Sequence, residues 1–367
     1  MTPTGVGSRA VVELDLTADV VELTRVLCDV ESVSGNERAL ADAVEAALRR
    51  LPHLEVLRDE NAVVARTSLG RRERVVLAGH LDTVPVAGNL PVRLEGDATS
   101  GGVLVGRGTA DMKGGVAVQL KVAAAVPAPS RDITFVYYDN EEVDAASNGL
   151  GRLAGRHPDW LGGDLAVLLE PTAAGIEGGC NGTMRAEIVT RGVAAHSARW
   201  WRGRNAVHEA GRVLNRLVAY QPRTVEVERL AYREGLNAVG ISGGIAGNVI
   251  PDVCRVVVNY RFAPDRTAAA AADHVREVFE GYEVSIIDAA DGARPGLDRP
   301  AAAAFVAAIG AVPRAKEGWT DVARFSALGV PAVNFGPGDP SVAHADDEHV
   351  PVAQLRACED ALLAWLG

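Results

Sequence analysis

The stretch Val75-Val76-Leu77-Ala78-Gly79-His80-Leu81-Asp82 decides the fold. Apolar or small residues run from 75 to 79 without a polar break, then meet an imidazole and, two positions later, a carboxylate. A continuous apolar run of this length suits a strand covered on both faces, whereas a half-exposed strand alternates apolar with polar. Similar runs recur at 61–67, 133–138 and 165–169. Between and before them lie segments of helical period. Val20, Leu23, Leu27 and Val30 share one helix face, and 114–125 is an Ala/Val/Leu stretch of helical length. Ser34-Gly35-Asn36-Glu37 has the Ser-x-x-Glu form of a capping box, opening a second helix through Leu40, Val44 and Leu48. Buried strands alternating with helices predict an α/β domain whose sheet is largely parallel and covered by helices on both faces.

Near Asn181 the pattern changes. Residues 183–190 read as a strand, 204–218 as a helix, 238–245 and 254–262 as strands, 267–280 as a helix and 283–287 as a last strand. The order β-α-β-β-α-β is that of the ferredoxin-like α+β unit. Residues 288–300, rich in Asp, Gly, Ala and Pro, read as a return linker, after which helix 301–309 and strand 332–335 resume the first domain. At 367 residues the chain exceeds the size of a single hydrophobic core. The expected organisation is one domain of residues 1–180 plus 291–367, with residues 181–290 inserted.

Composition narrows the partners. With 37 basic against 48 acidic residues the net charge is −11, which argues against nucleic acid or an anionic membrane. Residues 1–10 contain one Arg and no apolar stretch, so no secretory leader is expected. No run approaches the length of a membrane span. Cys28, Cys180, Cys254 and Cys358 are scattered without a Cys-x-x-Cys pair, which fits reduced thiols in the cytoplasm rather than disulfides or structural zinc.

Polar residues cluster where an open α/β sheet binds ligands, just past the strand ends. His80 and Asp82 follow the first run. Asp111 sits in Gly106-Arg107-Gly108-Thr109-Ala110-Asp111-Met112-Lys113-Gly114-Gly115, which lacks the order of a phosphate-binding loop. Glu141 and Glu142 follow the strand that ends at Tyr138, Glu170 closes 165–169, and His344 comes after Gly336-Pro337-Gly338. Singly, each also fits a hydrogen-bonded strand end, a surface turn or a helix cap. Together they supply imidazoles and carboxylates without a thiolate, the donor set of zinc, cobalt or manganese in a catalytic site. Of two adjacent carboxylates, one can bind metal while the other takes a proton from water.

This ordered set resembles the co-catalytic zinc metallopeptidase family of aminoacylases, glutamate-releasing carboxypeptidases, acetylornithine deacetylases and succinyl-diaminopimelate desuccinylases. The resemblance implies a zinc-exopeptidase-like catalytic domain, its mixed sheet covered by helices, with a ferredoxin-like lid and dimerisation domain inserted. It implies two zinc ions, cobalt or manganese able to substitute: His80 and Glu170 on one, Glu142 and His344 on the other, Asp111 bridging. Asp82 then orients His80, and Glu141 is the general base acting on a metal-activated water. A cis peptide is implied at Asp111–Met112. Gly192-Val193-Ala194-Ala195-His196-Ser197 is similar to the family segment whose His reaches the partner subunit's site and binds the oxyanion, so a homodimer is implied; from the sequence alone His196 is equally a loop histidine. Asn248, in Gly247-Asn248-Val249-Ile250-Pro251, and Arg261 resemble the pair that grips the substrate carboxylate, with Thr183 and Thr320 as further substrate contacts. Residues 78–91, 232–236 and 318–322 resemble the family's actinobacterial desuccinylase branch. The implied reaction is removal of succinate from N-succinyl-LL-2,6-diaminopimelate in lysine and diaminopimelate biosynthesis. Acetylornithine deacetylase-like or carboxypeptidase-like hydrolysis, and a catalytically silent binding homologue, are the alternatives. Cys180-Asn181-Gly182-Thr183 departs from the proteobacterial pattern, which has an Arg-Arg-Gly-Ser stretch there.

Overall fold

Strand Arg74–His80 lies in the interior of a sheet, with every residue from Val75 onward buried. It pairs in parallel with Asp132–Tyr138 on one side and Leu165–Leu168 on the other, and Ala332–Asn334 joins in parallel beyond the latter. Past Asp132–Tyr138 the direction reverses: Ala62–Arg66 and then Glu55–Asp59 add antiparallel. The sheet is therefore mixed, parallel through its middle and antiparallel at one edge. The computed structural model describes residues 12–99 and 101–367; the leader-free reading of residues 1–10 lies outside them.

The chain divides into two compact units, one of Met1–Glu177, Gly296–Pro313 and Arg324–Gly367, the other of Gly178–Pro295 and Arg314–Ala323. In the first, helices Val20–Asp29, Lys113–Ala125 and Val352–Leu366 bury Leu23, Leu27, Val116, Leu120, Leu355 and Leu362 in one core with Val75 and Leu77 of the sheet. Each such side chain contributes roughly 1.5–3 kcal/mol relative to an exposed one. Helix Lys113–Ala125 approaches closely because Gly115 has no side chain: a Cβ there would run into the carbonyl oxygen of Leu169. Helix Arg38–Arg49 begins without a capping box. Glu37 occupies its N-cap position but makes no side-chain capping bond, and Ser34 donates its hydroxyl to Asp82 instead. Gly35, next in the chain, takes the left-handed φ of 88° that glycine adopts without a Cβ penalty.

The second unit holds an antiparallel sheet in the order Gly235–Gly243, Val253–Phe262, Gly182–Arg191, Glu283–Ala290. Helices Ala206–Ala219 and Ala268–Val278 pack on it over Ile188, Val213, Val256, Val258, Phe262 and Val275. This is the β-α-β-β-α-β order of the ferredoxin-like unit. Edge strand Gly235–Gly243 leaves Val239 and Ile241 exposed. Among the described residues no helix is long and apolar enough to cross a membrane.

Gly115→Ala is expected to destabilise the protein by about 2 kcal/mol or more, the cost of overpacking a closed contact. A midpoint of chemical denaturation unchanged from that of the parent protein would refute the close approach.

Candidate metal centre

The parallel register sets His80 opposite Tyr138, so both chains leave the sheet at one level. One continues as Leu81-Asp82, the other as Asp139-Asn140-Glu141-Glu142. The Asp82 carboxylate is fully buried. It accepts the amides of Glu141 at 3.0 Å and Glu142 at 3.1 Å, and the Ser34 hydroxyl at 2.7 Å. The Asp82 carbonyl lies 3.0 Å from His80 Nδ1, and Asp82 Oδ1 lies 3.5 Å away. With Nδ1–H donating there, the neutral imidazole presents a lone pair at Nε2, which is the ligand form.

His80 Nε2 lies 3.1 Å from Asp111 Oδ1. His344, held at φ 67°, places Nε2 at 2.9 Å from Glu142 Oε1 and 3.4 Å from Asp111 Oδ2. Asp111 thus turns one oxygen to each histidine, and the peptide bond after it is cis. Glu348 steadies this carboxylate from behind, its Oε1 accepting the amides of Ala110 at 3.1 Å and Asp111 at 3.0 Å. Its other oxygen pairs with Arg107 Nη1 at 2.7 Å, both side chains being buried. Arg107 also donates to the carbonyls of Pro85 and Ala345.

The donor atoms of His80, Asp111 and Glu142 lie within 4.8 Å of one another. Burial alone would lower the His80 imidazole, but bonds to Asp111 and Asp82, with Glu170 nearby, hold it well above its ordinary range. Asp111 and Glu142 raise His344 to about 10. Burial would raise the Asp111 carboxyl, yet His344 and His80 keep it well below the usual carboxylate range. The carboxylates thus demand positive charge among them, and a divalent cation in exchange for imidazole protons preserves that balance. Nitrogen and oxygen donors without sulfur fit zinc, cobalt or manganese.

Glu170, buried at the end of Leu165–Leu168, acts on His80 electrostatically and lies outside the three-residue cluster. The remaining expected residues belong to the second unit. There Ala195–His196 pairs with Val249–Ile250 and the Ser197 amide donates to the Asn248 carbonyl at 2.9 Å, so His196 and Asn248 are neighbours. Thr183 stands opposite Arg261 in the sheet. Cys180 Sγ lies 3.8 Å from the Thr320 carbonyl, and burial pushes this thiol up to about 11, so it is not a nucleophile at neutral pH. Sequence reasoning gave no role to Arg107 or Glu348 and read Ser34 as a helix cap, whereas its hydroxyl donates to Asp82.

The family model described as peptidase family M20/M25/M40 matches residues 76–366. The chain belongs to this family. Among its M20 relatives is a Mycobacterium tuberculosis protein provisionally named succinyl-diaminopimelate desuccinylase, 56% identical, covering 96% of this chain and 99% of its own. The succinyl-diaminopimelate desuccinylase of Corynebacterium glutamicum is 47% identical, over 96% of this chain and 98% of its own. Of solved structures, a tripeptidase from Staphylococcus aureus superposes with a TM-score of 0.79 at 20% identity, covering 96% of this chain and 98% of its own. That similarity carries the M20 fold.

Adding zinc, cobalt or manganese to metal-free protein is expected to raise its melting temperature, and Asp111→Asn to remove most of the rise. The rise should grow from about pH 6 to about pH 8, because ligand imidazoles must lose protons to bind metal. The sign holds on both sides. In metal-free protein the raised imidazoles stabilise fully below about pH 6.5 and lose this as pH climbs toward the His344 value of about 10, while metal binding strengthens. Thermal scans with and without chelator measure it, and a rise independent of pH would refute the ligand assignment.

Proposed function

We propose that this chain is a two-zinc amide hydrolase that releases succinate from N-succinyl-LL-2,6-diaminopimelate. The observation that carries the reading is identity of 56% and 47%, along nearly the whole chain, to the mycobacterial and corynebacterial proteins of that name. In this reading His80 and Glu170 hold one cation, Glu142 and His344 the other, and Asp111 stands between them. Bound there, a pair of divalent cations lowers the pKa of water from about 15.7 toward 7 and polarises a carbonyl.

Glu141 takes the proton of the attacking water as its oxygen adds to the amide carbon. It then delivers that proton to the nitrogen as the C–N bond breaks, leaving succinate and the free amine. Asp82 accepts the Glu141 amide at 3.0 Å, so one carboxylate both positions the base and orients His80. His196 Nδ1 accepts the Ala198 amide at 3.1 Å. The neutral ring therefore carries its proton on Nε2, which is exposed and ready to donate to an oxyanion. That donation is made in the site of a partner subunit, giving a homodimer, and the open edge of Gly235–Gly243 with Val239 and Ile241 supports pairing of two copies. Arg261 and Asn248, with Thr183 and Thr320, hold the substrate carboxylate through the planar guanidinium fork. Residues 1–180 plus 291–367 are read as the catalytic domain and 181–290 as the lid and dimerisation domain, except that 314–323 group with the latter. Four buried free cysteines support a reducing, cytoplasmic setting.

The direct test is turnover by zinc-loaded protein of N-succinyl-LL-2,6-diaminopimelate beside acetylornithine and a glutamate-terminated peptide. Succinate release should exceed the others at least about 100-fold in kcat/KM, a gap of about 2.7 kcal/mol; preference for acetylornithine would replace the substrate while keeping the chemistry. Glu141→Gln should bind metal as the parent does yet lose turnover by about 100-fold or more, the usual worth of a general base. A rate within a few-fold of the parent's would remove Glu141 from that role.

A further inference from the structure

The turn Ser34-Gly35-Asn36-Glu37 looks like a helix cap and does not act as one. Glu37 is fully buried and makes no capping bond to helix Arg38–Arg49. Its Oε1 instead accepts the Gly35 amide at 2.7 Å and the Asn140 amide at 3.3 Å. The other oxygen, Oε2, is buried without a hydrogen-bond partner among the described residues. A carboxylate half satisfied in the interior is a poor way to fill space, since an apolar side chain of similar size avoids the desolvation cost. Packing alone therefore gives no reason for a Glu at this position.

The reason lies in what Glu37 touches. Asn140 has φ 57°, a left-handed conformation that asparagine adopts more readily than other non-glycine residues but that its neighbours help to fix here. Three groups do so: Glu37 holds its amide, Asp139 Oδ2 accepts its side-chain Nδ2 at 2.8 Å, and Arg152 pins Asp139 at 2.6 Å. From that bend the next amides, of Glu141 and Glu142, go to Asp82. Successive N–H groups at 140, 141 and 142 thus converge on two buried carboxylates, as backbone nests converge on anions. Ser34, from the same turn as Glu37, donates to Asp82. One short segment grips both ends of the nest.

We propose that Glu37 is a positioning residue that sets the Glu141–Glu142 backbone, and through it the base and a metal-binding carboxylate. This rests on the reading of Glu141 as base given above. Glu37 touches neither substrate nor metal; its effect is on the bend at Asn140. Loss of its acceptor lets the bend relax, and Glu141 then samples directions in which it cannot reach the water.

Glu37→Leu and Glu37→Ala delete the acceptor, while Glu37→Gln keeps an oxygen for the Asn140 amide. With zinc-saturated protein, Leu or Ala is expected to lower kcat by about 10–100-fold with KM changed less than about 3-fold, and Gln to restore kcat to within about 3-fold of the parent. Independently of turnover, hydrogen exchange at the Glu141 and Glu142 amides should quicken in Leu or Ala and stay slow in Gln. Parental kcat in Leu or Ala, a Gln variant as slow as they are, or exchange unchanged in all three overturns the proposal. So does a Gln variant that folds while neither of the others does, which would make Glu37 a folding requirement. If no acylated amino acid is hydrolysed, the functional reading fails on its own, and the exchange measurement still decides Glu37.

Discussion

Everything at the metal centre follows from the register of strand Arg74–His80 against Asp132–Tyr138. Two parallel neighbours aligned residue for residue must release their chains into loops at the same height. Whatever polar groups come next are then crowded together at the rim of an apolar sheet. Asp82 and Asp139 are buried at once and have no water to turn to. Each takes the donors within reach: Asp82 the amides of Glu141 and Glu142 in the neighbouring loop, Asp139 the guanidinium of Arg152 on helix Gly149–Arg156. The loop geometry is thus a by-product of satisfying buried charge.

The same logic operates on the far side, with Arg107 and Glu348 as the agents. Removing both charges from water is expensive, and the attraction offsets that only when the spare donors and acceptors are also used. Here they are used. Glu348 takes the amides of Ala110 and Asp111, and Arg107 reaches the carbonyls of Pro85 and Ala345. The pair thereby joins the segments that follow His80, that carry Asp111 and that carry His344.

Much of this was legible beforehand, for identifiable reasons. An uninterrupted apolar run signals a strand whatever its partners, so the strands around His80, Tyr138 and Leu168 were readable. His80, Asp111 and Glu142, whose donor atoms lie within 4.8 Å of one another, stood out only as members of a set, since each alone also fits a hydrogen-bonded strand end or a turn. Partners distant in sequence were not readable. Ser34 and Glu37 have the spacing of a capping box, and nothing local distinguishes a hydroxyl that caps a helix from one that reaches Asp82 across 48 positions. Glu348 sits in a run of acids that reads as solvated surface, and only the fold buries it against Arg107. Strand Glu55–Asp59 escaped notice as well, because it is half-buried and largely polar, although the resemblance implied a mixed sheet. The final helix had a signal that went unread: Leu355, Cys358, Leu362 and Leu366 share one buried face.

The Arg107–Glu348 pair has a consequence for biogenesis. Its two members lie 241 positions apart in the chain, and His80 and His344 are separated by a similar stretch. While the chain is still being synthesised, Asp111 and His80 exist without the imidazole and the ion pair that later enclose them. A chain synthesised only as far as Asp111 has neither His344 nor Glu348, so its carboxylate lacks the partners that later hold it.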